Sequence, residues 1–286
     1  MGWVRRSDFA GSWYPRKEEE VRLEIQQMLK RGFDCPNDLS EPIGGIVPHA
    51  GWYYSGRLAV NTIKCLSQGK SPETLIIFGH HMAERYPNLI MPEGSWLTPL
   101  GELSIDSELG KALTKEFTFQ VESERNYQPD NTIELQLPFV KYFFPDVKIL
   151  PIGLPPQENS LRIASRIVEL AQMLNRSIKV LGSTDLTHYG PNYGFMPFGM
   201  GEKAVKWVKE ENDKRIVELI LKMEPKAVIE EAKHRHNACC PGAVASAIEA
   251  AKRLGAKKAY KIGYYTSYDV LANESFVGYV GILFYQ

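Results

Sequence analysis

The sequence has few cysteines, no excess of charge of either sign and no long hydrophobic run. Its 286 residues include four cysteines, too few and too irregularly spaced for a disulfide framework, so we expect reduced thiols and a cytoplasmic location. Cys35 and Cys65 are then expected to be inert. The 34 basic and 34 acidic side chains balance, which gives no electrostatic reason to expect nucleic acid or an anionic membrane as a partner.

Two further sequence signals are missing. No apolar run approaches membrane-spanning length, and residues 1–10 lack the apolar core of a secretory signal, so neither a membrane span nor a leader is expected. The glycine pair at 44–45 precedes a predicted strand instead of linking a strand to a helix, so nucleotide binding is unsupported. The 44% of hydrophobic side chains is enough for one α/β domain over residues 1–286.

Strand and helix patterns alternate along the chain. Apolar runs predict strands at 43–48, 75–79, 147–153, 178–182, 260–266 and 276–285. Helical spacing predicts helices at 18–31, 55–66, 106–116, 131–144 with a break at Pro138, 159–174, 201–223, 225–233 and 241–254. We expect Ser55, and either Asn159 or Ser160, to cap two of these helices. This order predicts a three-layer α/β fold, with helices on both faces of a mainly parallel or mixed central sheet.

Histidines follow the first two predicted strands. His49 comes directly after a run that stops at Pro48, and the small residues after it leave room for a ligand at the carboxyl end of a strand. An isolated histidine more often only bonds a loop carbonyl, but this context favours a ligand. His80 and His81 follow the second strand, and alternation along an extended segment directs only one of them to the same pocket.

Asp185 and His188 follow a later strand. Their spacing of three places them on one face if the segment makes a helical turn. The alternative is an aspartate helix cap with an incidental histidine.

Cys240 precedes a proline that suits the first position of a helix. This makes Cys240 the helix N-cap, where the free N–H groups favour a thiolate and depress the thiol pKa. Such a thiol is a good metal ligand or nucleophile, although a small buried residue is the alternative. Cys239 is expected to point elsewhere. The alternative is a strained disulfide between Cys239 and Cys240.

Five motifs occur in an order that resembles the Memo family, which is structurally related to class III extradiol ring-cleaving dioxygenases. They lie at 10–15 (Ala-Gly-Ser-Trp-Tyr-Pro), 48–56 (Pro-His-Ala-Gly-Trp-Tyr-Tyr-Ser-Gly), 132–138 (Thr-Ile-Glu-Leu-Gln-Leu-Pro), 183–190 (Ser-Thr-Asp-Leu-Thr-His-Tyr-Gly) and 236–240 (His-Asn-Ala-Cys-Cys). The resemblance covers nearly the whole chain and implies the dioxygenase-like α/β fold.

The resemblance also implies a metal site in which cysteine replaces the carboxylate of the dioxygenase triad. Its ligands would be His49, His81 and Cys240, with Asp185 and His188 beside them and Trp13 and Tyr14 lining the mouth of the cleft. Microbial members are associated with a radical-SAM protein and a small partner protein. The animal member binds copper or iron and receptor phosphopeptides, so a peptide ligand is a further expectation.

The sequence departs from the family pattern at three places. The usual Gly-Pro-x-His is shortened here, so a gapless alignment selects His81 and a gapped one His80; we take His81. Asn131 replaces a common histidine, and the usual Cys-Gly is read here as Cys240-Pro241.

Two imidazoles favour iron, copper or zinc, and a thiolate shifts the preference toward copper(I) or zinc. The leading hypothesis is a metal-dependent redox protein with iron or copper, in which His188 is the acid/base and Asp185 orients it. One alternative is a non-catalytic module that binds a peptide or a metal in the same cleft. Another is a zinc-dependent hydrolase with Glu134 as its base.

Overall fold

The computed structural model describes residues 2–36 and 40–286. The strands within them are β1 (Val4–Arg5), β2 (Pro42–Val47), β3 (Thr74–Gly79), β4 (Leu89–Ile90), β5 (Ser95–Thr98), β6 (Gly101–Ser104), β7 (Gln120–Val121), β8 (Lys148–Gly153), β9 (Ile178–Ser183), β10 (His188–Tyr189), β11 (Lys258–Thr266) and β12 (Phe276–Tyr285). The α-helices are α1 (Glu18–Lys30), α2 (Arg57–Leu66), α3 (Ser107–Glu116), α4 (Asn131–Glu134), α5 (Leu137–Phe143), α6 (Glu158–Met173), α7 (Glu202–Trp207), α8 (Asp213–Leu221), α9 (Pro225–Arg235), α10 (Pro241–Arg253) and α11 (Ser267–Val270). Trp52–Gly56 and Val208–Asn212 form π-helical turns, and Pro191–Tyr193 a 3-10 turn.

The large sheet is parallel at its centre and antiparallel at its margins. Its strand order is β10-β12-β2-β9-β3-β8-β4-β7, and β11 pairs with β12. The strands β2, β9, β3 and β8 run parallel, whereas β12 is antiparallel to β2 and β4 to β8. A small separate sheet joins β1, β5 and β6. The apolar strands of the parallel centre are buried on both faces, as such sheets require.

Helices cover both faces of this sheet. A side chain at Gly45 would contact Thr62 on α2, and one at Gly182 would contact Ala247 on α10. Gly182 pairs with Ile46, the residue after Gly45, so the two glycines face opposite sides because side chains alternate along a strand. The helices α2 and α10 therefore form the two outer layers at the middle of the sheet.

The predicted fold class is confirmed. Each of the six predicted strands is present within one or two residues of its expected bounds, and the helix at 131–144 breaks before Pro138 into α4 and α5. No helix in the described part of the chain combines the length and apolarity that a membrane span needs. The predicted helix at 201–223 contains a π-helical turn between α7 and α8.

Two predicted helix caps are wrong. Ser55 lies inside the π-helical turn, where its hydroxyl donates to the carbonyl of Ala50 and caps no helix. The helix α6 begins at Glu158 with Gln157 as its N-cap, so Asn159 and Ser160 lie within its first turn. Both helical segments begin earlier than the local polar residues suggest.

The prediction that Cys35 and Cys65 are unpaired, inert thiols is also wrong. The two residues form a disulfide, with their Cα atoms 5.4 Å apart. Cys35 lies in the segment after α1 and Cys65 on α2, and packing of α1 against α2 brings them together across a sequence separation of 30. Cysteine spacing alone gave no sign of this pairing.

Candidate metal centre

Three adjacent parallel strands end at the same edge of the sheet and carry polar side chains there. His49 follows β2, His81 follows β3, and Asp185 follows β9, which lies between them. The carboxyl ends of parallel strands are where open α/β sheets place their sites. The spacing of these residues along the chain is therefore irrelevant to their proximity in space.

Two imidazoles and two thiols converge at this edge. The side chains of His49, His81, Cys239 and Cys240 each offer one ligand atom, and these atoms all lie within 4.8 Å of one another. The rings of His49 and His81 meet edge to face, with their centroids 5.0 Å apart. The structure thus brings together His49, His81 and Cys240, and it adds a fourth group.

That fourth group, Cys239, is the residue that sequence reasoning missed. Its Sγ lies 3.3 Å from Nε2 of His49 and 3.6 Å from Sγ of Cys240, and both thiols are free. Its N–H donates to the carbonyl of Asp185 at 3.0 Å, and the N–H of Asp185 donates back to Sγ at 3.2 Å. These bonds to another chain segment orient Cys239, so the expectation that it points elsewhere is wrong. No local pattern encodes them.

Cys240 is the N-cap of α10, as predicted, but its thiol behaves differently from the prediction. Burial, together with the hydrogen bond that the Cys240 thiol donates to Cys239 and the charge of Cys239, raises the pKa of Cys240 well above its ordinary value. Burial alone would also raise the pKa of Cys239, but its hydrogen bond with Cys240 and the imidazolium of His49 lower it well below its ordinary value. The thiolate therefore resides on Cys239, which has the stronger cationic contact.

Neighbouring groups fix the tautomer of His49. The hydroxyl of Ser183 donates its one proton to the carbonyl of Thr132 at 2.6 Å, so it can only accept from Nδ1 of His49, 2.9 Å away. A neutral His49 then keeps its proton on Nδ1 and presents a free lone pair on Nε2, toward Cys239. Such an outer hydrogen bond commonly orients a metal-ligating histidine.

Two more contacts hold the main chain of His49. Its N–H donates to Oδ1 of Asp185 at 2.7 Å, and its carbonyl accepts from the side-chain amide of Asn131 at 3.0 Å. Burial lowers the pKa of His49, but the charges of Asp185 and Cys239 outweigh it and raise that pKa to about 9. Asn131 thus positions the loop from outside the cluster.

Asp185 and His188 do not form the predicted pair on a helical turn. Residues 184–187 form no helix, and His188 begins the short strand β10. Asp185 holds the main chain of His49, as above, while Nδ1 of His188 donates to the carbonyl of Leu186 at 3.1 Å. Because a carbonyl can only accept, the neutral His188 ring has its free lone pair on Nε2.

His80 and His81 diverge because the backbone at His80 is left-handed, with φ of 67°. Nδ1 of His80 lies 3.4 Å from Oδ2 of Asp130, away from the cluster, whereas His81 joins it. The choice of His81 over His80 therefore agrees with the placement of the two rings.

The N-terminal motif lies elsewhere. Tyr14 is buried, its ring stacks on Trp52, and its hydroxyl donates to Glu134 at 2.9 Å. This interior position differs from the cleft-lining one that the family resemblance implies. Trp13 is partly exposed, with its ring against Phe9.

A cavity of about 490 Å³ reaches the cluster at Cys239. We call it the Cys239 cavity; its wall includes Leu186, His188, Tyr193, Phe195, His236 and Cys239. The rings of His188 and Tyr193 meet edge to face there. A small molecule in this cavity could contact both Cys239 and the free Nε2 of His188.

The chain is similar to known proteins over nearly its whole length. The family described as "Memo: Memo-like protein" matches residues 5–283. A MEMO1 family protein of Thermococcus onnurineus is 35% identical over 98% of this chain and 99% of its own length, and one of Pyrococcus abyssi is 34% identical over the same shares.

A solved structure shares the fold at low identity. An uncharacterized protein of Escherichia coli K12 superposes with a TM-score of 0.57 and 9% identity, covering 85% of this chain and 99% of that one. The likeness shows a shared fold alone. On the family match and the identity over nearly its whole length, the chain belongs to the Memo family.

Proposed function

We propose that the cluster binds one transition-metal ion and that the protein is a metal-dependent redox protein. The observation that supports this most is the convergence of four ligand atoms within 4.8 Å from three separate segments of the chain. Their hydrogen bonds already hold Nε2 of His49 and the sulfur of Cys239 within 3.3 Å of each other. A site of this kind needs little reorganisation to accept an ion.

The donor set favours copper over iron. Thiolates and imidazoles are the ligands that copper(I) and zinc prefer, whereas oxygen-activating iron sites usually use two histidines and a carboxylate. A bound copper ion would supply one-electron chemistry. Asp185 is the residue that the sequence offers as the carboxylate of an iron site. Its side chain contributes no ligand atom to the cluster and instead accepts the N–H of His49.

His188 is the residue we assign to proton transfer. It lines the Cys239 cavity, and its Nδ1 proton is committed to the carbonyl of Leu186, so Nε2 can accept a proton from a molecule bound there. Asp185 then acts on the metal site through His49 and not by orienting His188, which revises the role assigned to it from the sequence.

The experiment is metal reconstitution under anaerobic conditions with copper(I), iron(II) or zinc, followed by elemental analysis and oxygen uptake with catechol-type substrates. We expect one copper per chain in the unaltered protein and loss of stoichiometric binding in Cys239→Ser. His234→Ala is the matched control, because His234 is an exposed histidine whose ring bonds only its own helix. Undiminished copper binding in Cys239→Ser would contradict the proposal.

The same measurement separates the binding-module alternative. Stoichiometric metal without oxygen uptake, and peptide binding that depends on the Cys239 cavity, would favour a non-catalytic module. The zinc-hydrolase alternative is disfavoured, because both carboxylate oxygens of Glu134 already accept hydrogen bonds from the protein. They accept from the N–H groups of Asp8 and Phe9, and from the Tyr14 hydroxyl.

A further inference from the structure

A second cavity, also of about 490 Å³, has His81 in its wall and is separate from the Cys239 cavity. We call it the His81 cavity. The side chains that matter for its chemistry are His80, His81, Tyr86, Glu122, Tyr127 and Asp130. The His81 cavity therefore reaches the cluster through His81. Most of its wall is formed by residues that have no role in the proposed metal site.

Two buried carboxylates lie in this wall. Glu122 is 4% exposed and Asp130 is 8% exposed. Oδ1 of Asp130 caps α4 by accepting the N–H of Thr132 at 3.0 Å, which leaves Oδ2 toward His80. Carboxylates are ionised at neutral pH and can only accept hydrogen bonds, so a ligand that complements this wall must bring donors.

One fixed cation offsets only one of these two charges. Nη1 of Arg5 lies 2.8 Å from Oε2 of Glu122, and its guanidinium stacks on the ring of Trp96 at 3.8 Å. Arg5 is fully buried and is not part of the cavity wall. Among the described residues, no lysine or arginine lines this cavity. The basic side chain beside Asp130 is therefore His80 and not a lysine or arginine.

His80 is a nine-tenths buried polar side chain without a hydrogen bond on either ring nitrogen, counting partners in residues 2–36 and 40–286. Its Nδ1 is 3.4 Å from Oδ2 of Asp130 and its Nε2 is 3.9 Å from Oε2 of Glu122. Its left-handed backbone is a sparsely populated conformation for a non-glycine residue. The ring therefore lies beside both carboxylates and forms part of the cavity wall.

We propose that the His81 cavity binds a small organic cation, a primary ammonium group on an aromatic or apolar body. The ammonium would donate to Oδ2 of Asp130 next to His80, and the body would lie against Tyr86 and Tyr127, whose ring faces attract cations as well. The inference goes beyond the metal-binding proposal and does not require a metal on the cluster.

The test uses three probes of the same size and different charge: benzylammonium, benzyl alcohol and benzoate. Each is titrated into the full-length protein, metal-free and zinc-loaded, by calorimetry and ligand-observed NMR. We expect saturable binding of benzylammonium, at least about tenfold weaker binding of the alcohol, and none of benzoate. Binding of benzoate as tight as that of benzylammonium, or no saturable binding of the cation, would overturn the proposal.

Asp130→Asn sharpens the test, because asparagine keeps the helix cap and removes the charge. We expect benzylammonium affinity to fall about ten- to hundredfold. Asp106→Asn is the matched control: Asp106 is likewise a buried aspartate N-cap, of α3, and lies outside the cavity. Circular dichroism melting establishes that both variants fold. Unchanged affinity in a folded Asp130→Asn would reject the site even if copper binding proceeds as proposed.

Discussion

The sulfur of Cys239 lies 3.3 Å from Nε2 of His49. This contact joins a thiol whose pKa is lowered well below its ordinary value to an imidazole whose pKa is raised to about 9, so each group favours the charged form of the other. A metal ion would replace the proton that the two groups otherwise hold between them. Metal binding and proton release are therefore linked.

This linkage predicts that metal affinity rises with pH and that the contribution of His49 to this rise ends near pH 9. Below its pKa of about 9, His49 holds a proton that the metal must displace, so zinc affinity should fall about tenfold per pH unit for each proton released. Calorimetry in buffers of different ionisation enthalpy counts those protons.

Cys240→Ala extends the same measurement. Because the pKa of Cys240 is raised, it binds metal only by losing a proton, and the variant should release one proton fewer than the unaltered protein. An unchanged proton count would show that Cys240 is not a ligand.

Ser183→Ala should weaken metal binding by about ten- to hundredfold. The hydroxyl of Ser183 accepts from Nδ1 of His49 and so keeps the lone pair on Nε2. Competition with a zinc-binding dye measures the change. Ser246→Ala is the matched control, since Ser246 is buried on α10 and its Oγ has no partner within the described residues. Equal affinity in the two variants would remove the tautomer argument.

Glu134→Gln should lower the free energy of unfolding by about 1–3 kcal/mol without changing metal stoichiometry. Its carboxylate accepts hydrogen bonds from the N–H groups of Asp8 and Phe9 and from the Tyr14 hydroxyl. The NH₂ group of a glutamine side chain cannot accept, so at least one of these hydrogen bonds is lost. Urea unfolding and elemental analysis measure the two quantities. Loss of hydrolytic activity with unaltered stability would instead revive the hydrolase hypothesis.

Reduction of the disulfide between Cys35 and Cys65 should destabilise the fold. Opening a link across a sequence separation of 30 costs roughly 3–4 kcal/mol in the chain-entropy account, which lowers the melting temperature by roughly 5–10 °C in a chain of this size. Thermal unfolding with and without reductant measures the shift. The double variant Cys35→Ser, Cys65→Ala should melt low in both conditions; if reductant lowers it further, the effect comes from other thiols.

Most of the framework could be predicted from the amino-acid pattern, because burial imposes a period on each strand and helix. The apolar runs of β2, β3 and β9, with polar residues directly after them, are sufficient to predict His49, one of His80 and His81, and Asp185 at one edge of a sheet. Helix starts were less accurate, since polar residues such as Ser55 and Ser160 resemble caps wherever they occur.

The amino-acid sequence by itself determined the alternating α/β order, the strand ends that carry the site and the membership of the Memo family. Only the tertiary structure decided that Cys239 contacts His49, that His80 turns toward Asp130, and that Cys35 meets Cys65. The physical reason is that periodicity reports local burial, whereas the direction of a side chain in an irregular segment depends on hydrogen bonds from distant segments, such as those between Asp185 and Cys239.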